Sequence, residues 1–211
     1  MKIALINENS QASKNKIIYD SLVSVLGDKH QIFNYGMLDN EDTSITYVQA
    51  GLLAAILLNS GAVDYVITGC GTGEGAMLAL NSFPNVLCGH ITDATDAYLF
   101  SQINDGNAIS IPYAKGFGWG SELTLKDIFT NLFKEKSGNG YPKKRKEPEQ
   151  KNKKILDEVK KITHNNIMDI LKNIDKEFLK QTISTKNFDK FFFDNCKDKN
   201  IYEFIKTTKE I

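Results

Sequence analysis

The stretch Val66–Gly75, Val-Ile-Thr-Gly-Cys-Gly-Thr-Gly-Glu-Gly, restricts the possible folds of this chain more than any other. The apolar, β-branched run from Val63 to Thr68 has the composition of a buried strand and breaks directly into glycine. Gly69, Gly71, Gly73 and Gly75 alternate with Cys70, Thr72 and Glu74, and Ala76–Leu80 then has a helical composition. A strand that turns through glycines into a helix N-terminus makes a pocket of outward-pointing backbone N–H groups. Glycine serves where the chain takes positive φ and a ligand must approach the main chain closely. Cys70 and Thr72 then place a thiol and a hydroxyl at the pocket's mouth. A glycine loop alone suits phosphate, whereas a thiol inside one points to chemistry at an acidic C–H or a carbonyl. The bland alternative is a tight strand–helix turn around an inert buried cysteine, with Thr72 as a helix cap. The spacing is not that of a P-loop, since no Gly-Lys-Ser/Thr follows. Nor does an acidic residue end a second strand about 20 residues on, as a ribose clamp requires.

Around this loop, strand and helix alternate. Lys2–Ile6 reads as a strand ending in the polar cluster Asn7–Gln11, and Ser13–Leu26 as an amphipathic helix stopped by Gly27. Gln31–Tyr35 is a second strand. Ile45–Asn59 is a helix apolar nearly all round, which demands burial on more than one side, in a subunit interface or a crowded core. Asp64–Thr68, Asn85–Gly89 and Asn107–Ile111 supply three more strands. The helix Thr92–Ile103, with Thr92 or Asp93 as N-cap, separates the last two. Pro112 and the loop Gly116–Gly120 lead to Ser121, a cap for the helix Glu122–Phe133. Five such alternations specify an α/β domain with a five-stranded parallel sheet covered on both faces. Ligands of such sheets sit beyond the carboxyl ends of the strands, where Asn7–Ser10 and Cys70–Gly75 converge.

The composition changes after residue 135. Residues 136–152 are polar and punctuated by Gly and Pro, as in a basic linker or wrapping arm. Beyond them, residues 153–211 carry apolar residues at helical spacing, from Ile155 through Phe178 to the aromatic group Phe188–Phe193 and Tyr202–Ile205. This end is too hydrophobic for a disordered tail and reads as a helical extension packed on the first domain or on a partner. Net charge is zero, which favours neither nucleic acid nor membrane as partner. Residues 1–140 carry 8 Lys/Arg against 14 Asp/Glu and residues 141–211 carry 18 against 12, so the two segments attract one another. Cys70, Cys88 and Cys196 lack metal-ligand spacing, and with no signal-like or membrane-length segment they read as reduced thiols of a cytoplasmic protein.

The run Cys70-Gly71-Thr72-Gly73-Glu74-Gly75, the opening strand Lys2-Ile3-Ala4 and the pair Asn104-Asp105 resemble the ribose-5-phosphate isomerase B family, which includes the galactose-6-phosphate isomerase subunits. The resemblance covers about residues 1–146. It implies a three-layer α/β/α Rossmann-like domain and a homodimer or homotetramer with sites at subunit interfaces. It also implies aldose–ketose interconversion of a sugar phosphate, with neither metal nor organic cofactor. Carried over by position, Cys70 is the base that moves a proton between C1 and C2 through a cis-enediol, and Thr72 helps open the sugar ring. The N–H groups of Gly71, Gly73, Glu74 and Gly75 hold the enediolate oxygen. Glu8, Asn9 and Asn104 contact the sugar, and Arg145 holds the phosphate. Tyr47 matches a tyrosine near the family's site.

The chain departs from the family pattern in three places. Glu8-Asn9 stands where the family shows Asp-His, and Ile103 stands where it has the histidine credited with ring opening. Isoleucine moves no proton, so another group must act or the substrate must arrive open; His90 is the nearest imidazole in sequence. Of two arginines four apart, one position is Tyr141 and the other is Arg145, flanked by Lys143, Lys144 and Lys146. Three readings remain open: a sugar-phosphate isomerase, a non-catalytic sugar-phosphate-binding protein on the same fold, and an unrelated nucleotide-binding domain.

Overall fold

The computed structural model describes residues 1–210. Five strands, β1 (Lys2–Asn7), β2 (Gln31–Gly36), β3 (Tyr65–Cys70), β4 (Cys88–His90) and β5 (Ala108–Pro112), form one all-parallel sheet in the order β2-β1-β3-β5-β4. Side chains alternate faces along each strand, so a strand buried on both sides must be apolar throughout. In β1, Ile3 and Leu5 pack toward α1 (Asn15–Leu26) and α5 (Ser121–Leu132), with Ala97 of α4 (Ala94–Leu99) in the same layer. Ala4 and Ile6 face α2 (Tyr47–Asn59) and α3 (Glu74–Asn81) on the other side. The sheet is thus the middle of three layers.

A further layer answers the question posed by α2, in which every residue from Gln49 to Leu58 is buried. One side of α2 lies on the sheet. The other is covered by the carboxyl-terminal helices α7 (Ile167–Asn173), α8 (Lys176–Thr182), α9 (Phe188–Asn195) and α10 (Lys199–Glu210). The crowded core is therefore made by the chain's own extension. Phe188 and Phe192 of α9 stack at 4.8 Å, and Phe191 stacks on Phe33 of β2 at 5.0 Å. The helix begins at a capping box, in which Thr46 accepts from the Gln49 N–H and the Gln49 side chain accepts from the Thr46 N–H.

Several boundaries differ from the sequence-based expectation. The helix expected over Thr92–Ile103 is α4, which starts after Asp93, the second of the two expected caps, and passes into a π-helical turn over Phe100–Asn104; Asp93 accepts from the N–H groups of Thr95 and Asp96. Ser121 is the first residue of α5 and gives no side-chain cap, because Gly120 in a left-handed conformation (φ 82°) holds the cap position. A 3-10 turn over Asn9–Lys14 precedes α1. The helix α6 (Lys146–Thr163) starts inside the arm expected over 136–152, with Pro148 in its first turn, where a missing N–H leaves no bond unmade. The arm before it docks through Gly138 and Gly140, whose N–H groups reach the carbonyls of Ser101 and Gln102.

Candidate active site

Strand order turns in opposite directions on either side of β1 and β3, since β1 leads outward to β2 whereas β3 leads toward β5 and β4. At such a switch point the loops leaving the carboxyl ends diverge and open a crevice. Register brings the two ends level: Asn7 pairs with Gly69, and Cys70 with Pro112. Glu8 and Asn9 therefore leave β1 beside the Cys70 loop.

The loop owes its shape to four anchored carbonyls. Those of Cys70 and Gly71 accept from the N–H groups of Tyr113 (2.9 Å) and Ala114 (3.0 Å). That of Thr72 accepts from His90 Nε2 at 2.9 Å, and that of Gly73 from Ser110 Oγ at 2.6 Å. In a trans peptide the following N–H points opposite to the carbonyl. With the carbonyls held inward, the N–H groups of Gly71, Thr72 and Gly73 face away from the protein body. The Glu74 N–H reaches Thr72 Oγ1 at 3.3 Å, so Thr72 also fills its cap role. Gly73 has φ +77°, and a Cβ there would lie 2.7 Å from His90 Nε2. A carbonyl only accepts, so His90 Nε2 carries the proton and acts as a strut of the loop.

Cys70 is 8% exposed. Its Sγ lies 4.0 Å from Thr72 Oγ1 and 3.7 Å from where a Cβ on Gly75 would stand, a point also 3.4 Å from the Tyr47 ring. The thiol is thus set against the first turn of α3, with Tyr47 as the opposite wall. Because Thr72 Oγ1 already accepts from Glu74, its own hydrogen is available to the sulfur. Burial pushes the Cys88 thiol well up and raises that of Cys196, so neither competes as a base.

Glu8 is buried, accepting from Ser10 N–H (2.9 Å) and Ser10 Oγ (2.6 Å). Asn9 is exposed, with its N–H on the Ile45 carbonyl and its side-chain amide 3.5 Å from Ser44 Oγ. Sequence reasoning missed Lys14. Its Nζ donates to Gln11 Oε1 at 2.8 Å and to the Tyr113 carbonyl, and stands 4.7 Å over the Phe117 ring. Tyr113 is the residue whose N–H anchors Cys70, so this ammonium lies beside the loop, and it makes no salt bridge among the described residues. Burial lowers its pKa from the ordinary 10.5. In sequence Lys14 is indistinguishable from a solvated residue at a helix start; only the β5 loop folding over it gives it a site.

Asn104 and Arg145 do not join this group within one chain. Asn104 ends the π-helical turn Phe100–Asn104 that carries the chain down to the amino end of β5. Arg145 sits in the turn before α6 and pairs with Glu149 at 3.7 Å, and neighbouring Lys143 pairs with Glu135 at 3.2 Å. Among the described residues no group of three His, Cys, Asp or Glu side chains is placed to hold a metal ion. No described helix is long and apolar enough to cross a membrane.

A family model described as Ribose/Galactose Isomerase matches residues 3–147, and one described as Ribose-5-phosphate isomerase matches residues 162–208. The crystal structure of a 4-deoxy-L-threo-5-hexosulose-uronate ketol-isomerase complexed with a tartrate is 58% identical, covers 100% of both chains and superposes with a TM-score of 0.98. A ribose-5-phosphate isomerase from Vibrio parahaemolyticus is 46% identical over 99% of both chains, with a TM-score of 0.96. Ribose-5-phosphate isomerase B of Clostridium thermocellum shares the fold at 23% identity, over 77% of this chain and 99% of its own, with a TM-score of 0.63. No curated protein matches the chain.

Proposed function

The chain belongs to the ribose/galactose isomerase family, and we propose that it is a ketol-isomerase of a deoxy-hexosulose uronate, with Cys70 as the base. The observation that carries this reading is the full-length 58% identity to the uronate ketol-isomerase. Its chemistry agrees with two of the three departures in the sequence, Ile103 and Tyr141. A hexose derivative with a ketone at C5 and no hydroxyl at C4 has neither hydroxyl from which ordinary sugar rings close, so it needs no ring-opening histidine at Ile103. A substrate whose charge is a carboxylate needs no paired arginines, consistent with Tyr141 in place of one.

In this mechanism the Cys70 thiolate takes the proton from C2, and the electron pair of that bond moves toward the C1 carbonyl. The charge that develops on O1 meets the N–H groups of Gly71, Thr72 and Gly73. Donors preorganised for charge that appears only in the transition state stabilise it by about 3 kcal/mol each. The sulfur returns its proton to C1 while the hydroxyl proton passes from O2 to O1 beside Thr72, leaving the ketone at C2. Lys14 holds the distant carboxylate. Two subunits pair, so that the Asn104 and Arg145 of one chain serve the Cys70 site of the other.

The 46% identity to a ribose-5-phosphate isomerase supports a second reading, a sugar phosphate held by Arg145. Turnover of 4-deoxy-L-threo-5-hexosulose uronate and of ribose 5-phosphate, followed by NMR in deuterated water, separates the two. We expect isomerisation of the uronate with deuterium entering at the carbon that receives the proton. Turnover of the phosphate alone would overturn the uronate assignment. Cys70→Ser should bind substrate and exchange no proton; wild-type turnover by that variant would remove Cys70 from the mechanism.

A further inference from the structure

At the amino edge of the sheet, opposite the Cys70 loop, a cavity of about 350 Å³ lies between α6 and the segments that lead into β4 and β5. Its volume falls at the lower end of the range for small-molecule sites. Pro84, Leu87 and Ile167 give it apolar walls, and Lys160, Lys161 and His164 bring cationic or donor groups to it. Lys160 sets it apart from a surface groove. This lysine is only 9% exposed, and its Nζ has one recorded partner, the Asn81 carbonyl at 2.9 Å. No carboxylate lies within ion-pair distance of it among the described residues.

The acidic groups of the cavity have partners other than Lys160. Asp157 pairs with Lys153 at 2.6 Å, and Asp105 accepts from Gln150 at 3.4 Å. A buried ammonium without a counter-ion carries a desolvation penalty that a paired anion offsets. Burial also lowers the Lys160 pKa, in keeping with a cation that lacks a partner.

We infer that this cavity binds a small organic anion, with its carboxylate or phosphate head on Lys160 and its apolar body against Pro84, Leu87 and Ile167. Within one chain the cavity lies apart from the Cys70 pocket: α3, eight residues long, separates the Cys70 loop at its first residue from Asn81 at its last. Lys160 and His164 both approach the Asn81 carbonyl, and the Asn81 side chain brackets the backbone of Cys88, so the cavity is built on ordered elements.

Benzoate and phenyl phosphate share a body and differ in head group, and either is titrated calorimetrically into wild-type protein, Cys70→Ser and Lys160→Met. We expect one saturable site per chain, unchanged in Cys70→Ser and weakened at least tenfold in Lys160→Met; the tighter ligand identifies the head group. Asn165→Trp, a substitution in the exposed loop that lines the cavity, should block binding without altering the lysine and serves if Lys160→Met does not fold. Failure of both ligands to bind wild-type protein, or binding that survives the cavity variants, overturns the proposal.

Discussion

On the proposed mechanism Cys70 supplies the chemistry of its loop, and His90 supplies the support. His90 bonds the Thr72 carbonyl, so its role depends on a donor at that point, not on an imidazole that moves protons. Replacing His90 by Gln, which keeps a donor, should retain most of kcat, whereas His90→Ala should lose it together with about 0.5–1.5 kcal/mol of stability. Equal loss in both variants would make His90 a proton carrier. Gly73→Ala places a Cβ in a left-handed backbone and against the same ring, so it should cost more than the about 1 kcal/mol of the backbone term alone. Denaturant unfolding measures this. For Lys14, losing a charge-assisted contact costs about 1.5–3 kcal/mol, so Lys14→Met should raise KM for the uronate at least tenfold and leave kcat within a few-fold. An unchanged KM would place the carboxylate elsewhere.

Among the elements, the carboxyl-terminal helices supply a second face for α2 and also support the site. Gln181 of α8 accepts from the Gln49 side-chain amide at 2.9 Å and donates to the Ser44 carbonyl, and the neighbouring Ile45 carbonyl receives the Asn9 N–H. Phe192→Ala removes a fully buried ring stacked on Phe188 and should cost about 3–5 kcal/mol, seen as a lower denaturation midpoint. Helix α6 contributes a pH dependence. The folded pKa of Lys160 is lowered, so between that value and the ordinary 10.5 the unfolded chain binds more protons. Stability of the wild type relative to Lys160→Met should therefore rise with pH through that window and level off above it. A difference curve flat with pH would mean that Lys160 keeps its ordinary affinity for protons.

Over the whole molecule, one apolar surface with helical regularity is the outer stripe of α6. Ile155, Val159 and Ile162 recur at helical spacing, with Ile162 84% exposed, and Leu156 lies beside them. A stripe of this kind on a helix otherwise rich in charge fits a second copy of the chain, the pairing that would deliver Arg145 to a neighbouring site. Sedimentation should show at least a dimer at micromolar concentration. Val159→Glu with Ile162→Glu should yield folded monomers without activity. A wild-type monomer, or active monomeric variants, would place every catalytic group within one chain.

Periodicity and the glycine run carried most of this architecture, because both are local. Alternating strands and helices required a parallel sheet, and only glycine tolerates the turn that sets Cys70 at the start of a helix. The sequence also exposed the unusual demand of α2, whose apolar residues leave no face for water. What covers that face was decided by long-range packing of segments more than a hundred residues away, which no local pattern encodes. The same holds for Lys14 and Lys160. Both read as ordinary solvated lysines in sequence, and only the fold sets them apart, since the β5 loop leaves Lys14 half-buried against Phe117 and α6, packed at the sheet's amino edge, buries Lys160.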